Sequence, residues 1–186
     1  MIGPENIEQT SRSQGRRNLA PSLVVLLTVL IDQISKGLIS SMFHEGESIP
    51  IGGSLLKLTY IHNPRGAFGL PLGGNIIFVI ISILAMICIA YLLWSLPAAS
   101  AWSRLALSLI LGGAAGNLID RLRYGEVVDF IDVGVGTTRW PVFNVADIGV
   151  TVGAVLLCYA MFLKKELWHG ETLTKSCSGA REEEKT

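Results

Sequence analysis

This sequence carries little charge. Lys, Arg, Asp and Glu make up 16% of the 186 residues, against 50% hydrophobic residues, whereas a soluble domain carries about 25% charged residues. With a mean hydropathy of +0.50, the chain reads as an integral membrane protein. Fifteen basic and fifteen acidic side chains cancel, so no excess charge draws it toward nucleic acid. Cysteine is nearly absent: Cys88, Cys158 and Cys177 lie far apart with no C-x-x-C spacing, which excludes a disulfide framework. The three histidines, His44, His62 and His169, form no H-E-x-x-H pair, which argues against a zinc peptidase. No internal repeat suggests a solenoid or an inverted-repeat transporter.

Long apolar runs are abundant. Four of them, over about 20–43, 75–96, 102–122 and 142–163, are each close to the roughly 20 residues that cross a bilayer as a helix. The first is too long for the apolar region of a secretory signal and carries Asp32 and Lys36, so it is expected to be retained as a span. Residues 1–18 are polar and lack periodicity, which predicts a disordered cytoplasmic lead. Residues 166–186 are expected to form a polar cytoplasmic tail. Arg16-Arg17, Arg104 and Lys164-Lys165 fall on one side of this four-span layout, and the positive-inside rule makes that side cytoplasmic.

The extracytoplasmic segments, 44–74 and 123–141, carry strand signals. Ser48–Ile51 and Leu55–Ile61 are rich in β-branched and aromatic residues, with Gly52-Gly53 between them as a two-residue turn, and Val127–Val133 reads as a further strand before a flexible 134–138. The expected architecture is an α-helical membrane protein with four transmembrane helices and a small β-sheet resting on the outer leaflet.

The chemistry concentrates between Gly112 and Asp147. Asp129 lies just beyond the third span, and Asp147 about one and a half turns inside the fourth, a depth of roughly 7–8 Å. Two carboxylates converging in a medium of low dielectric tend to share one proton. Such a pair offers a base for water and an acid for a carbonyl oxygen or leaving amine. A bland reading stands beside this one: Asp147 as a helix N-terminal acid and Asp129 as a solvated strand residue. Asn117 and Arg121 share a helical face with Asp120 beside them, and Asp32 precedes Lys36 by four residues in the favourable order for an ion pair. Gly112, Gly113 and Gly116 on the third span, and Gly149 and Gly153 on the fourth, provide small-xxx-small spacing for close helix packing. A proton-coupled transporter using Asp32, Lys36, Asp120 and Asp147 and a non-catalytic scaffold compete with a peptidase. These charges cluster toward one surface rather than at the midplane, which favours the peptidase.

These residues resemble one family, lipoprotein signal peptidase or signal peptidase II, a bacterial inner-membrane aspartyl peptidase. The matching blocks are Asp32 with Lys36, Asn63 to Phe68, Gly116 to Arg121, Val127 to Phe130, and Phe143 to Asp147, in order. The resemblance implies that Asp129 and Asp147 are the catalytic dyad. It implies that Asn117, Arg121 and Asn144 line the site, supported by Asp120, Ala146, Asn63, Phe68, Gly66, Asp32 and Lys36. It further implies a diacylglyceryl-modified prolipoprotein substrate cut on the amino side of its lipidated cysteine, susceptibility to globomycin, a monomer working in contact with membrane lipid, and no metal or organic cofactor. Arg65 stands where the family places a glycine in the asparagine loop.

Overall fold

The structure is a computed structural model that describes residues 4–64, 74–96 and 100–162, with side chains from residue 19 onward. In chain order the elements are α1 (Pro4–Met42), β1 (Ser48–Gly52), β2 (Leu56–Asn63), α2 (Asn75–Ser95), α3 (Ala101–Tyr124), β3 (Val127–Val135), β4 (Thr138–Arg139) and α4 (Val145–Phe162). Four helical stretches, Leu19–Met42, Asn75–Ser95, Ala101–Tyr124 and Val145–Phe162, are long and apolar enough to cross a membrane. Their exposed surfaces carry large aliphatic side chains such as Leu26, Ile34, Leu84, Ile87 and Val155, the pattern expected when lipid replaces water as the solvent.

The third helix is the hub, packing against α1, α2 and α4. Its small residues make that possible. A Cβ added at Gly113 would run into the Ala146 carbonyl oxygen and the Val150 side chain of α4, and one at Gly116 would lie 2.5 Å from Asp32 Oδ2 of α1. The helix ends on Gly125, whose φ of 79° lets the chain turn out of the bundle while its N–H donates to the Arg121 carbonyl, a left-handed cap that glycine adopts without strain. At the opposite end Arg104 is buried and donates to the Leu93 and Leu96 carbonyls at the end of α2, so a residue counted above for topology also ties the second connection together.

The four strands form one antiparallel sheet in the order β1-β2-β3-β4. Tyr60, Val128 and Phe130 of the sheet pack on Ile39 near the C-terminal end of α1, with Phe43, Leu58, Ile131 and Val145 around them. This apolar plug fixes the sheet against the bundle and sets where β3 lies relative to the start of α4.

Four expectations need correction. Helix α1 begins at Pro4 rather than after a disordered lead over 1–18. Proline costs no intrahelical bond in a first turn, and the residues that follow extend a helix already nucleated by the apolar span, which is cheaper than starting one. The β1–β2 turn lies over 53–55, with Gly52 inside β1 and Gly53 at a φ of 63°. The stretch 134–138, expected to be flexible, belongs largely to a hairpin in which Gly134 pairs with Arg139 and Val135 with Thr138. The fourth helix starts at Val145 rather than near 142, because Asn144 caps it; Asp147 therefore sits in its first turn and not one and a half turns inside. Arg65, Gly66, Ala67, Phe68 and the expected tail over 166–186 lie outside the described residues.

Candidate active site

Asn144 is the residue around which the site is built. It is fully buried and immediately precedes α4. Its Oδ1 accepts the Asp147 backbone N–H at 3.0 Å, and its own N–H donates to Asp147 Oδ2 at 3.2 Å. This is a reciprocal capping box made by Asn and Asp in place of the usual Ser/Thr and Glu. From the same side chain Nδ2 donates to Asp129 Oδ1 at 2.7 Å and shares its protons with Asn117 Oδ1 and the Val128 carbonyl, at 3.0 and 3.2 Å. One asparagine thus grips both carboxylates. The bland reading of Asp147 as a helix N-terminal acid and the catalytic one are compatible, since capping leaves Oδ1 on the side where Asn117 Nδ2 donates at 2.9 Å.

Asp129 is the third residue of β3, on the strand face opposite Val128 and Phe130. It is 2% exposed and accepts Asn63 Nδ2 from β2 at 2.8 Å in addition to Asn144. Burial pushes its carboxyl up from the ordinary 3.8 to about 6; the amide of Asn63 opposes this, and the neighbouring Asp147 charge adds to it. Asp147 is only half-buried, so the two members of the pair differ in access: one is enclosed and the other is reachable by solvent.

Behind this pair lies a buried ion cluster. Lys36 Nζ contacts Asp32 Oδ2 at 2.8 Å, Asp120 Oδ2 at 2.7 Å and Asn117 Oδ1 at 2.9 Å. Asp32 Oδ1 accepts the Ala146 N–H at 2.9 Å, and Asp120 Oδ2 accepts the Val128 N–H at 3.3 Å. Asp120, grouped with Asn117 and Arg121 from helical spacing, therefore faces Lys36 rather than Asp129 and Asp147. Arg121 makes no direct bond to either aspartate: its guanidinium lies 5.3 Å over the Phe78 ring, from where its charge acts on Asp147 and Asp129. Ala146 contributes its backbone, and its small side chain is buried against the Gly113–Gly116 surface.

Gln33 is the polar residue that sequence reasoning passed over. Its Nε2 donates to Asp120 Oδ1 at 2.9 Å and to Asp32 Oδ2 and the Gly116 carbonyl at 3.2 Å, while Oε1 accepts Arg123 at 3.4 Å. A glutamine one residue after an intramembrane aspartate is itself a signal, since polar side chains in a span demand partners. Asp132, also in β3, is a separate structural site: it holds Arg139 Nε at 2.8 Å and Thr59 Oγ1 at 2.9 Å. Burial pushes its carboxyl up, but these two donors outweigh that and hold it below the ordinary range.

Residues 24–163 match the family model described as signal peptidase (SPase) II. The lipoprotein signal peptidase of Moorella thermoacetica is 46% identical over 141 residues, covering 76% of this chain and 91% of its own. That of Halothermothrix orenii is 39% identical over 147 residues, covering 78% and 97%. Among solved structures, a bacterial membrane enzyme determined by the in meso method at 1.9 Å superposes with a TM-score of 0.70 at 34% identity, covering 77% of this chain and 93% of that one. With a matching four-helix fold and relatives at this level of identity across nearly their whole length, the chain belongs to the signal peptidase II family and is a membrane peptidase.

Proposed function

We propose that Asp129 and Asp147 are the catalytic dyad of this peptidase. Family membership gives the broad activity, removal of the signal peptide from prolipoproteins. The observation that carries the finer reading is Asn144 bonded to both carboxylates at once.

Asp129, the enclosed member whose carboxyl burial raises to about 6, acts as the acid when it carries a proton, and Asp147, the accessible member, acts as base. Asp147 takes a proton from water as the water oxygen bonds to the scissile carbonyl carbon, and Asp129 gives its proton to the carbonyl oxygen. When the C–N bond breaks, Asp147 returns its proton to the leaving nitrogen. Asp129 regains one from the geminal hydroxyl as the carbonyl re-forms. The pair then stands as it began, and one water has been consumed.

The bond cut lies on the amino side of a cysteine carrying diacylglycerol. The acyl chains remain in lipid beside the apolar helix faces, so the scissile bond is delivered to a site at the membrane surface instead of being searched for in bulk. The site faces the extracytoplasmic side of the bacterial inner membrane, with both termini cytoplasmic, the protein acts as a monomer, and globomycin is expected to inhibit it. Cleavage of a diacylglyceryl-modified prolipoprotein by purified protein tests the reading. Wild type should cut before the lipidated cysteine, and Asp129→Asn and Asp147→Asn should both be inactive in folded preparations. Near wild-type cleavage by either variant would remove that aspartate from the mechanism.

A further inference from the structure

Three buried charges in this protein have no place in the reaction just described. Asp32, Lys36 and Asp120 are 0%, 3% and 1% exposed, and burying an ion triad is costly enough that apolar replacements of similar volume are often neutral or stabilising. Stability alone does not account for them, and their hydrogen bonds show what they do. The second oxygen of Asp32 takes the N–H of Ala146, the residue immediately before Asp147. Asp120 takes the N–H of Val128, the residue immediately before Asp129. The third proton of Lys36 goes to Asn117 Oδ1, which leaves the Asn117 NH2 pointing at Asp147.

We propose that Asp32, Lys36 and Asp120 form a clamp that positions the two dyad aspartates, one arm holding the start of α4, the other holding β3, and the central lysine fixing which way the Asn117 amide faces. The proposal rests on the dyad reading above. Lys36 is the member whose geometry is most demanding: three acceptors lie 2.7–2.9 Å from a single nitrogen, which matches the three N–H bonds of an ammonium and not the planar fork of a guanidinium. Without it, Asn117 Oδ1 keeps only the Asn144 Nδ2 donor at 3.0 Å, and the NH2 it aims at Asp147 is less firmly held. These are positioning residues, since none of them touches the dyad carboxylates directly.

The test compares wild type, Lys36→Arg and Lys36→Met for cleavage of a diacylglyceryl-modified prolipoprotein across pH, with Asp129→Asn and Asp147→Asn as references. Arginine keeps the charge but not the three-way geometry. Lys36→Arg should lose about 10²-fold in kcat, the scale of a small misplacement of reacting groups, with KM little changed and the pH limits of activity where wild type has them. Lys36→Met should lose at least as much and also move those limits to higher pH. The cations acting on the two aspartates are Lys36 from α1 and Arg121 from α3, with the Asn63 amide from β2 beside Asp129; Asp32 and Asp120 face Lys36, and removing the lysine makes that surrounding more negative. If Lys36→Arg cuts with wild-type kcat while the reference variants are dead, the positioning role is overturned and the dyad stands. If a reference variant is active, the dyad reading fails first. If neither lysine variant folds, the cluster is a folding determinant and the proposal is likewise overturned.

Discussion

Replacing Asp129 by asparagine should alter the pH dependence of stability as well as abolish cleavage. Burial raises the Asp129 carboxyl from 3.8 to about 6, so the folded protein keeps a proton that the unfolded chain releases above about pH 4. Folded stability must then fall as pH rises from about 4 to 6 and level off above that. At ~1.4 kcal/mol per pH unit the interval corresponds to about 3 kcal/mol. Screening does not reduce it much, because the side chain is 2% exposed. Asp132 works in the opposite sense, being held low; its stabilising contribution is lost only as pH falls below about 4, outside this window. The amide introduced at position 129 has no proton to lose. It accepts from one of Asn63 and Asn144 and confronts the other with an N–H, a penalty of about 1–3 kcal/mol that is the same at every pH. Thermal unfolding of purified protein in detergent, followed by tryptophan fluorescence from pH 4 to 8, should show wild-type stability declining between 4 and 6 and the variant flat. Parallel curves for the two proteins would refute the assignment of the raised carboxyl to Asp129.

Asn144→Ala removes the side-chain cap of α4 and the Nδ2 bond to Asp129 while its backbone N–H stays on Asp147; about 1 kcal/mol of stability should be lost with the cap, and kcat should fall by at least ~10²-fold, measured by unfolding and cleavage side by side. Gly116→Ala places a methyl 2.5 Å from Asp32 Oδ2; overpacking of this kind costs about 1–3 kcal/mol, and the displaced Asp32 should lower cleavage more than the stability loss alone explains. Arg139→Ala frees Asp132 and the Ser54 carbonyl, which Arg139 Nη1 holds at 2.7 Å; about 1–3 kcal/mol should be lost at pH 7, with the deficit against wild type shrinking in unfolding experiments as pH falls below about 4.

Composition and spacing told most about the elements whose physics is local. Four apolar stretches of spanning length predict four helices because lipid leaves the backbone no other partner, and small residues at Gly113 and Gly116 announce close packing without naming the neighbour. Asp129 and Asp147 stood out because carboxylates beside apolar spans are expensive. Val142 and Phe143 are apolar enough to read as the first residues of the fourth span, and only the capping bonds of Asn144 show that α4 begins at Val145. Strand β4 escaped notice because its two residues, Thr138 and Arg139, gain their conformation from pairing with Val135 and Gly134.

By itself, then, the sequence determined a four-helix membrane protein with a small sheet and a pair of carboxylates beside its apolar spans, since hydropathy and charge cost are written residue by residue. Tertiary structure decided everything that depends on which side chain meets which: that Asn144 binds both aspartates, that Asp120 turns to Lys36 and away from the dyad, that Gln33 belongs to the cluster, and that Asp129 is the enclosed carboxyl. Those are contacts between residues as far apart as Asp32 and Ala146, and they exist only once α3 has brought α1 and α4 together.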